Sequence, residues 1–309
     1  MNPFKACVVQ ATPVIFDIER TVEKTLALIR ECANENPDLI LFPESFIPAY
    51  PRGLDFGAVV GSRSREGREL FRRYQEASVE VPGTETEKIG KAAREAGSMV
   101  AIGITERDRI TGSLYCTLLY FSATGELIGK HRKVKPTGTE RLIWGEGDGS
   151  GLVTVKTRNI TIGGLICWEN YMPLARMSMY CKGVQVYLAP TADSRDGWQH
   201  TMRHIAMEGR CFVLGCNQYV EKKDYPEDLQ PLLSCEPDVM CTGGSVIVSP
   251  MGETIAGPLT GKEGILTASL DPAEVVRAKM DLDVAGHYNR PDIFRFSADQ
   301  QPDTIITDQ

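Results

Sequence analysis

No Cys-x-x-Cys pair occurs among the nine cysteines of this 309-residue chain, which stand at 7, 32, 116, 167, 181, 211, 216, 235 and 241. Their odd number and scattered spacing indicate neither a zinc ribbon nor a disulfide framework. Buried thiols of this kind behave as small apolar side chains, and that is the reading for all of them except Cys167. Basic excess is missing as well. A net charge of -7 and a pI near 5.3 leave no general footprint for holding a phosphate backbone, so nucleic acid is not an expected partner. No window reaches the roughly 18 uninterrupted apolar residues that a membrane-spanning helix needs. The opening stretch MNPFKACVVQATPVIFD goes straight into a strand-like run, without the basic segment, apolar stretch and small-residue cleavage site of a secretory signal. A soluble, cytoplasmic protein is expected.

What the chain does have is a hydrophobic share of 42% against 24% charged residues, enough for a well-buried core. Short β-rich runs recur, among them ACVVQAT, DLILFPE, MVAIGITER, YCTLLYFS, ITIGGLICW, VQVYLAPTA, FVLGCNQY and GSVIVSP. Helical patterns lie between several of them. Residues 21–34 carry apolar side chains at 22, 26, 29 and 33, and Pro37 and Asp38 close the pattern. Residues 84–96 open on a Thr-x-x-Glu capping box at Thr84 and Glu87 and end at Gly97; residues 196–209 read as a third helix. Alternating strands and helices predict a mixed sheet covered by helices in one layered α/β domain over residues 1–296, with a polar tail over 297–309 that can fray. The charge-dense run 61–74 reads as a solvated face or interface loop.

Cys167 follows the apolar run ITIGGLI, so it sits where a strand should end, with space above for a nucleophile. A thiol with an unperturbed pKa of about 8.5 is mostly protonated at neutral pH and needs a base or positive neighbour. Two other strand ends carry such groups: Glu44 in DLILFPESFIPAYP and Lys133 in GELIGKHRKVKPTGTERLIWGEGDG. A carboxylate leaving a buried strand beside Pro43 gains proton affinity and becomes a credible general base. A lysine ammonium can stabilise negative charge developing on a reacting atom. Spacing does not bring the three together, since glutamates and lysines near strand ends are common.

The segments FPESFIPAYPRG, HRKVKPTGTERLIWGEGDG and LICWENYMPLAR resemble, in this order and at these separations, the three signature segments of the nitrilase superfamily, the carbon-nitrogen hydrolases. The Cys-Trp-Glu at 167–169, with APTADSRDGWQHTMRHIAMEGRCFVLGCNQY and AGHYNRPDIF, is similar to the nitrilase branch. The likeness runs from about Lys5 to Phe296. It implies a four-layer α-β-β-α sandwich that dimerises into an extended αββααββα core, with further spiral assembly common in the branch. It implies catalytic Glu44, Lys133 and Cys167, with Glu140 orienting the lysine and water, and no cofactor or metal. By the same analogy Trp168, Tyr50, Pro51, Trp144, Thr191 and Ala192 line the substrate pocket. The implied activity is hydrolysis of an arylaliphatic or aliphatic nitrile to its acid and ammonia through a thioimidate and a thioester. An amidase or cyanide-hydrolysing relative would use the same residues, and a redox-sensing thiol scaffold is the rival outside enzymes. Glu169 reads as a brace for its loop. His200 and His204, four apart, lack a third ligand with matching spacing and read as structural or interface residues. GEGDGSG at 145–151 lacks the ending of a phosphate loop and reads as a turn.

Overall fold

The computed structural model describes residues 3–302; of the expected tail, residues 297–302 carry no regular element and 303–309 lie outside the described residues. In chain order the first strands are β1 (Phe4–Gln10), β2 (Leu39–Leu41), β3 (Ala58–Val59), β4 (Ser62–Arg63), β5 (Val79–Glu80), β6 (Met99–Arg107), β7 (Leu114–Phe121) and β8 (Leu127–Arg132). They are followed by β9 (Thr154–Thr157), β10 (Ile160–Gly164), β11 (Val186–Thr191), β12 (Phe212–Asn217), β13 (Tyr219–Glu221), β14 (Val239–Val248), β15 (Thr254–Thr260) and β16 (Gly264–Leu270). The helices are α1 (Ile18–Ala33), α2 (Arg65–Glu76), α3 (Thr84–Ala96), α4 (Pro173–Cys181), α5 (Asp196–Gly209) and α6 (Pro272–Ala278).

Two seven-stranded sheets result, ordered β16-β1-β2-β6-β7-β8 and β13-β14-β12-β11-β10-β9, with β5 added beside β6 and β15 beside β14. The central pairs β1/β2, β2/β6, β10/β11 and β11/β12 are parallel, so their strands need cover on both faces. Side-chain alternation divides that cover cleanly. Val8, Leu41, Ala101 and Leu118 of the first sheet pack with Ile162, Leu188, Leu214 and Ile247 of the second in one core between the sheets. The intervening residues Cys7, Val9, Ile40, Val100 and Ile102 point the other way, against Val22 and Ile29 of α1 and Ile89 of α3. On the far side Tyr187, Ala189, Val213 and Val246 meet Met179 of α4 and Trp198, Met202 and Ile205 of α5. Three cores therefore separate four layers, α-β-β-α, as the resemblance implies.

Element bounds agree closely for β6 and α5, and three local readings need correction. The α3 cap is Gly83, which has no side chain to accept a bond; only its N–H donates to the Thr86 hydroxyl at 2.9 Å, so the reciprocal box expected at Thr84 and Glu87 does not form. The buried stripe of α1 is Thr21, Val22, Thr25, Ile29 and Cys32 rather than the purely apolar series. Within 61–74 the solvated face is present but belongs to a helix and not a loop: from Arg65 on, α2 turns most of its arginines and glutamates to solvent and buries Leu70 and Tyr74.

Candidate active site

Glu44, Lys133 and Cys167 leave the strand ends that face each other where the two sheets meet. Just past β2, Phe42 N still bonds Ala101 O at 2.9 Å before Pro43 turns the chain, and the Glu44 side chain enters the interior with no exposure. Lys133 extends the β8 edge: its N–H bonds Cys116 O at 2.7 Å and its carbonyl accepts from Gly147 N at 2.8 Å. Cys167 stands two residues beyond the pairing of Leu165 N with Leu188 O, at the start of the 3-10 turn Cys167–Tyr171, with φ +50°. That left-handed backbone is costly for a residue with a Cβ and is held only where the surroundings over-determine it.

The Lys133 ammonium joins two carboxylates. Its Nζ donates to Glu44 Oε1 at 2.7 Å and to Glu140 Oε2 at 2.7 Å, and the lysine is only 1% exposed. Glu140, in the 3-10 turn Gly138–Leu142, also accepts from Thr137 N at 2.6 Å and from the Tyr50 hydroxyl at 2.8 Å, which fixes both its oxygens. Glu44 Oε1 further accepts from the Cys116 thiol at 3.5 Å, while its Oε2 is buried with no hydrogen-bond partner among the described residues. Thr191, at the end of β11, donates its hydroxyl to Cys167 Sγ at 3.1 Å.

Protonation follows from burial and from these charges. Burial pushes the Glu44 carboxyl above its ordinary value, a rise that Lys133 only partly offsets. Burial also pushes the Cys167 thiol up, and the negative charge of Glu44 adds to it, so the resting sulfur holds its proton. For Lys133 burial works against the ammonium, but Glu44 and the other anionic neighbours outweigh it and hold the charge firmly. The result is a protonated thiol, a carboxyl with raised proton affinity and a fixed cation in one buried cluster. Such a set can pass a proton from sulfur to carboxylate while the cation stabilises charge on a third party.

A cavity of about 300 Å³ opens onto Cys167, lined also by Tyr50, Arg52, Thr137, Glu140, Trp168, Ala192, Asp193, Ser194 and Arg195. Of the residues expected to wall the pocket, Tyr50, Trp168 and Ala192 do so, and Thr191 contacts the sulfur from below. Pro51 lines a neighbouring hollow of about 400 Å³ that shares Tyr50, Arg52 and Glu140 but not the cysteine. Trp144 is 3% exposed and stands behind the site, edge-on to Tyr50 at 5.7 Å and 5.8 Å from the lysine nitrogen. Glu44 and Lys133 form the floor rather than the wall.

The carbon-nitrogen hydrolase family profile matches residues 5–280. An aliphatic nitrilase of Sinorhizobium fredii is 52% identical over 307 residues, covering 99% of each chain. A bifunctional nitrilase/nitrile hydratase of Lupinus angustifolius is 45% identical over 309 residues, 98% of this chain and 88% of that one. Among solved structures, Nit3 of Saccharomyces cerevisiae, titled a member of branch 10 of the nitrilase superfamily, superposes with a TM-score of 0.73 at 21% identity over 94% and 97% of the two chains. The chain belongs to the carbon-nitrogen hydrolases, within the nitrilase superfamily.

In this carbon-nitrogen hydrolase several site residues escaped the reading of the sequence. Arg52 donates to the Ala192 carbonyl, joining the loop after Glu44 to the end of β11. Asp193 accepts from Trp168 Nε1 at 2.8 Å and pairs with Arg195, whose guanidinium lies 4.7 Å from the Trp168 ring centroid. This Arg-Trp-Asp group shapes the cavity mouth. The segments FPESFIPAYPRG and APTADSR contained these residues, but only the fold sets one against the other. His200 and His204 lie on α5, and His204 Nε2 is 3.5 Å from Glu208 Oε1. Among the described residues no three histidine, cysteine or acidic side chains cluster as a metal site, and no helix is long and apolar enough to cross a membrane.

Proposed function

We propose that this protein is a nitrilase that converts an organic nitrile and two waters into a carboxylic acid and ammonia. The observation that carries the reading is the lysine held between Glu44 and Glu140 beneath a thiol that faces a small cavity. The names of the relatives at 45–52% identity point the same way. Cys167 Sγ adds to the nitrile carbon while Glu44 takes the thiol proton and passes it to nitrogen, giving a thioimidate. Water then adds to that carbon, its proton moving through Glu44, to form a tetrahedral species with an amino group. Lys133 and the N–H groups at the start of the 3-10 turn stabilise it. Protonated nitrogen leaves as ammonia, and a second water cleaves the thioester, releasing the acid and restoring the thiol. Glu140 holds the ammonium in place. If the tetrahedral species instead expels the thiol, an amide is released, a second outcome supported by the bifunctional name of the lupin relative.

Residues 1–296 serve as the catalytic domain and 297–309 as its tail. The protein works as a homo-oligomer built on dimers, and nine cysteines with no disulfide among them suit the reducing cytoplasm. The deciding experiment replaces Cys167 with alanine and, separately, with serine. Ammonia release from a panel of aliphatic and arylaliphatic nitriles, with acid and amide both quantified, is expected to vanish while the thermal transition stays within a few degrees. Turnover at the wild-type rate in either variant overturns the proposal.

A further inference from the structure

His131 and Glu169 are each 1% exposed, and the proposed chemistry uses neither. Their hydrogen bonds determine their charge. His131 Nδ1 lies 2.8 Å from the Gly151 carbonyl, which can only accept, so that nitrogen carries a proton. Its Nε2 lies 2.9 Å from Glu169 Oε2. Both glutamate oxygens already accept backbone N–H groups, Oε1 from Val134 at 2.5 Å and Oε2 from Ile166 at 2.7 Å, which are the roles of an ionised carboxylate. Nε2 must therefore donate too, and the ring is an imidazolium. Burial and the nearby Lys182 oppose that charge, yet Glu169 outweighs them and His131 titrates above its ordinary range. Burial likewise pushes Glu169 up, and His131 with the two N–H donors brings it below its own ordinary value.

The two backbone groups are the important part. Val134 follows Lys133 and Ile166 precedes Cys167, so one carboxylate joins the lysine's strand end to the cysteine's. It does so beside a cysteine whose φ of +50° needs outside restraint. Asn170 adds to the hold by donating to the Leu165 and Cys167 carbonyls at 2.9 and 2.7 Å.

We propose that the His131 imidazolium and the Glu169 carboxylate form a charged positioning clamp that keeps Cys167 in register with Lys133, so that severing it slows turnover while leaving the substrate cavity intact. The inference rests on Cys167 being the nucleophile, as proposed above. Neither residue touches the cavity, so the clamp acts on the rate of the chemical step and not on binding.

The test uses the full-length protein as wild type, Glu169→Gln and His131→Asn, with kcat and KM taken from ammonia release on its best nitrile or amide. A glutamine can accept only one of the two N–H groups well, and misplacement on the scale of an ångström costs about 100-fold in rate. Glu169→Gln is expected to lose about that factor in kcat with KM within about 3-fold. His131→Asn, which leaves the carboxylate in place, is expected to lose about 10-fold. Histidine-selective 15N NMR followed through a pH titration should show one ring that keeps both nitrogens protonated above the ordinary histidine range, absent in His131→Asn. Wild-type kcat in Glu169→Gln, a rise in KM alone, or a neutral His131 signal overturns the clamp. If Glu169→Gln shows no cooperative melting, His131→Asn decides: unchanged kcat there refutes the proposal. A wild-type protein active on amides and inert to nitriles would sink the nitrilase reading and leave the clamp standing.

Discussion

Lys133 donates to two buried carboxylates at once, and nothing else in the cluster could neutralise both. Replacing it with methionine keeps the volume and leaves Glu44 and Glu140 facing each other in the interior. Breaking a buried pair by removing one partner costs about 3–5 kcal/mol. The sign of the pH dependence follows from the same contacts. Burial already raises Glu44 and Lys133 is its chief counterweight, so without the lysine its folded-state proton affinity rises further above the unfolded value. A carboxyl raised in this way favours the folded state when protonated, and that contribution is lost as pH climbs through its folded pKa. Urea unfolding of Lys133→Met should therefore show a deficit against wild type that is larger at pH 8 than at pH 5, with ammonia release abolished at both. A deficit independent of pH would mean that Glu44 does not depend on the lysine for its charge.

At the scale of elements, the floor of the site depends on how closely the turn after β2 lies on β6. Gly103 N bonds Pro43 O at 3.1 Å and Phe46 N bonds Gly103 O at 2.8 Å, so the turn lies along the strand. A Cβ at 103 would stand 2.2 Å from Pro43 O and 2.7 Å from both Glu44 Cα and Ser45 N, all backbone atoms. Gly103→Ala is expected to cost about 1–3 kcal/mol through overpacking and to push Glu44 off its station. The matched change Gly129→Ala meets only side chains, the nearest at 3.1 Å, and should cost less and leave kcat near wild type. Thermal melting and kcat on both variants check this, and equal kcat in the two would sever the link between Gly103 and Glu44. Nothing in MVAIGITER marks its glycine as a contact for a proline-glutamate turn far upstream, which shows where the sequence ceases to be legible. Periodicity located β6 and α5 well because most of their apolar residues are buried, Met207 of α5 being the exception. It misread α1, where Thr21 and Thr25 are buried because their hydroxyls bond the Val14 and Thr21 carbonyls at 2.8 Å each. Glu44, Lys133, Glu140 and Cys167 were visible through their segments. Arg52, Asp193 and the charged state of His131 were not, because each depends on a partner brought close only by the packing of two sheets.

At the scale of the whole molecule, the two outer helical layers differ in what they show to solvent. Neither α1 nor α3 presents a large hydrophobic side chain that is exposed, whereas the α4–α5 side exposes Leu174 at 71% and Met207 at 42%, with Tyr171 and Met172 just before α4. The patch continues past the end of α5. The Met207 side chain lies against Gly252, beside Met251, and Arg210 reaches both Met251 Sδ and Asp281, next to the exposed Met280. Exposed apolar side chains grouped on one helical layer mark a contact with another protein, and a second copy seated there would stack helices on helices between two sandwiches. The proposed dimer should therefore form through α4 and α5. Leu174→Glu combined with Met207→Glu places a charge on each helix of the patch without touching the cores beneath, which are built from Met179, Trp198, Met202 and Ile205. Sedimentation velocity is expected to show the wild type as a dimer or larger and the double variant shifted toward the 34.1 kDa monomer. Because α4 follows directly on the 3-10 turn that carries Cys167, the dissociated form should also lose activity, in proportion to its monomer fraction. An oligomer of unchanged size in the double variant would place the subunit contact on another face.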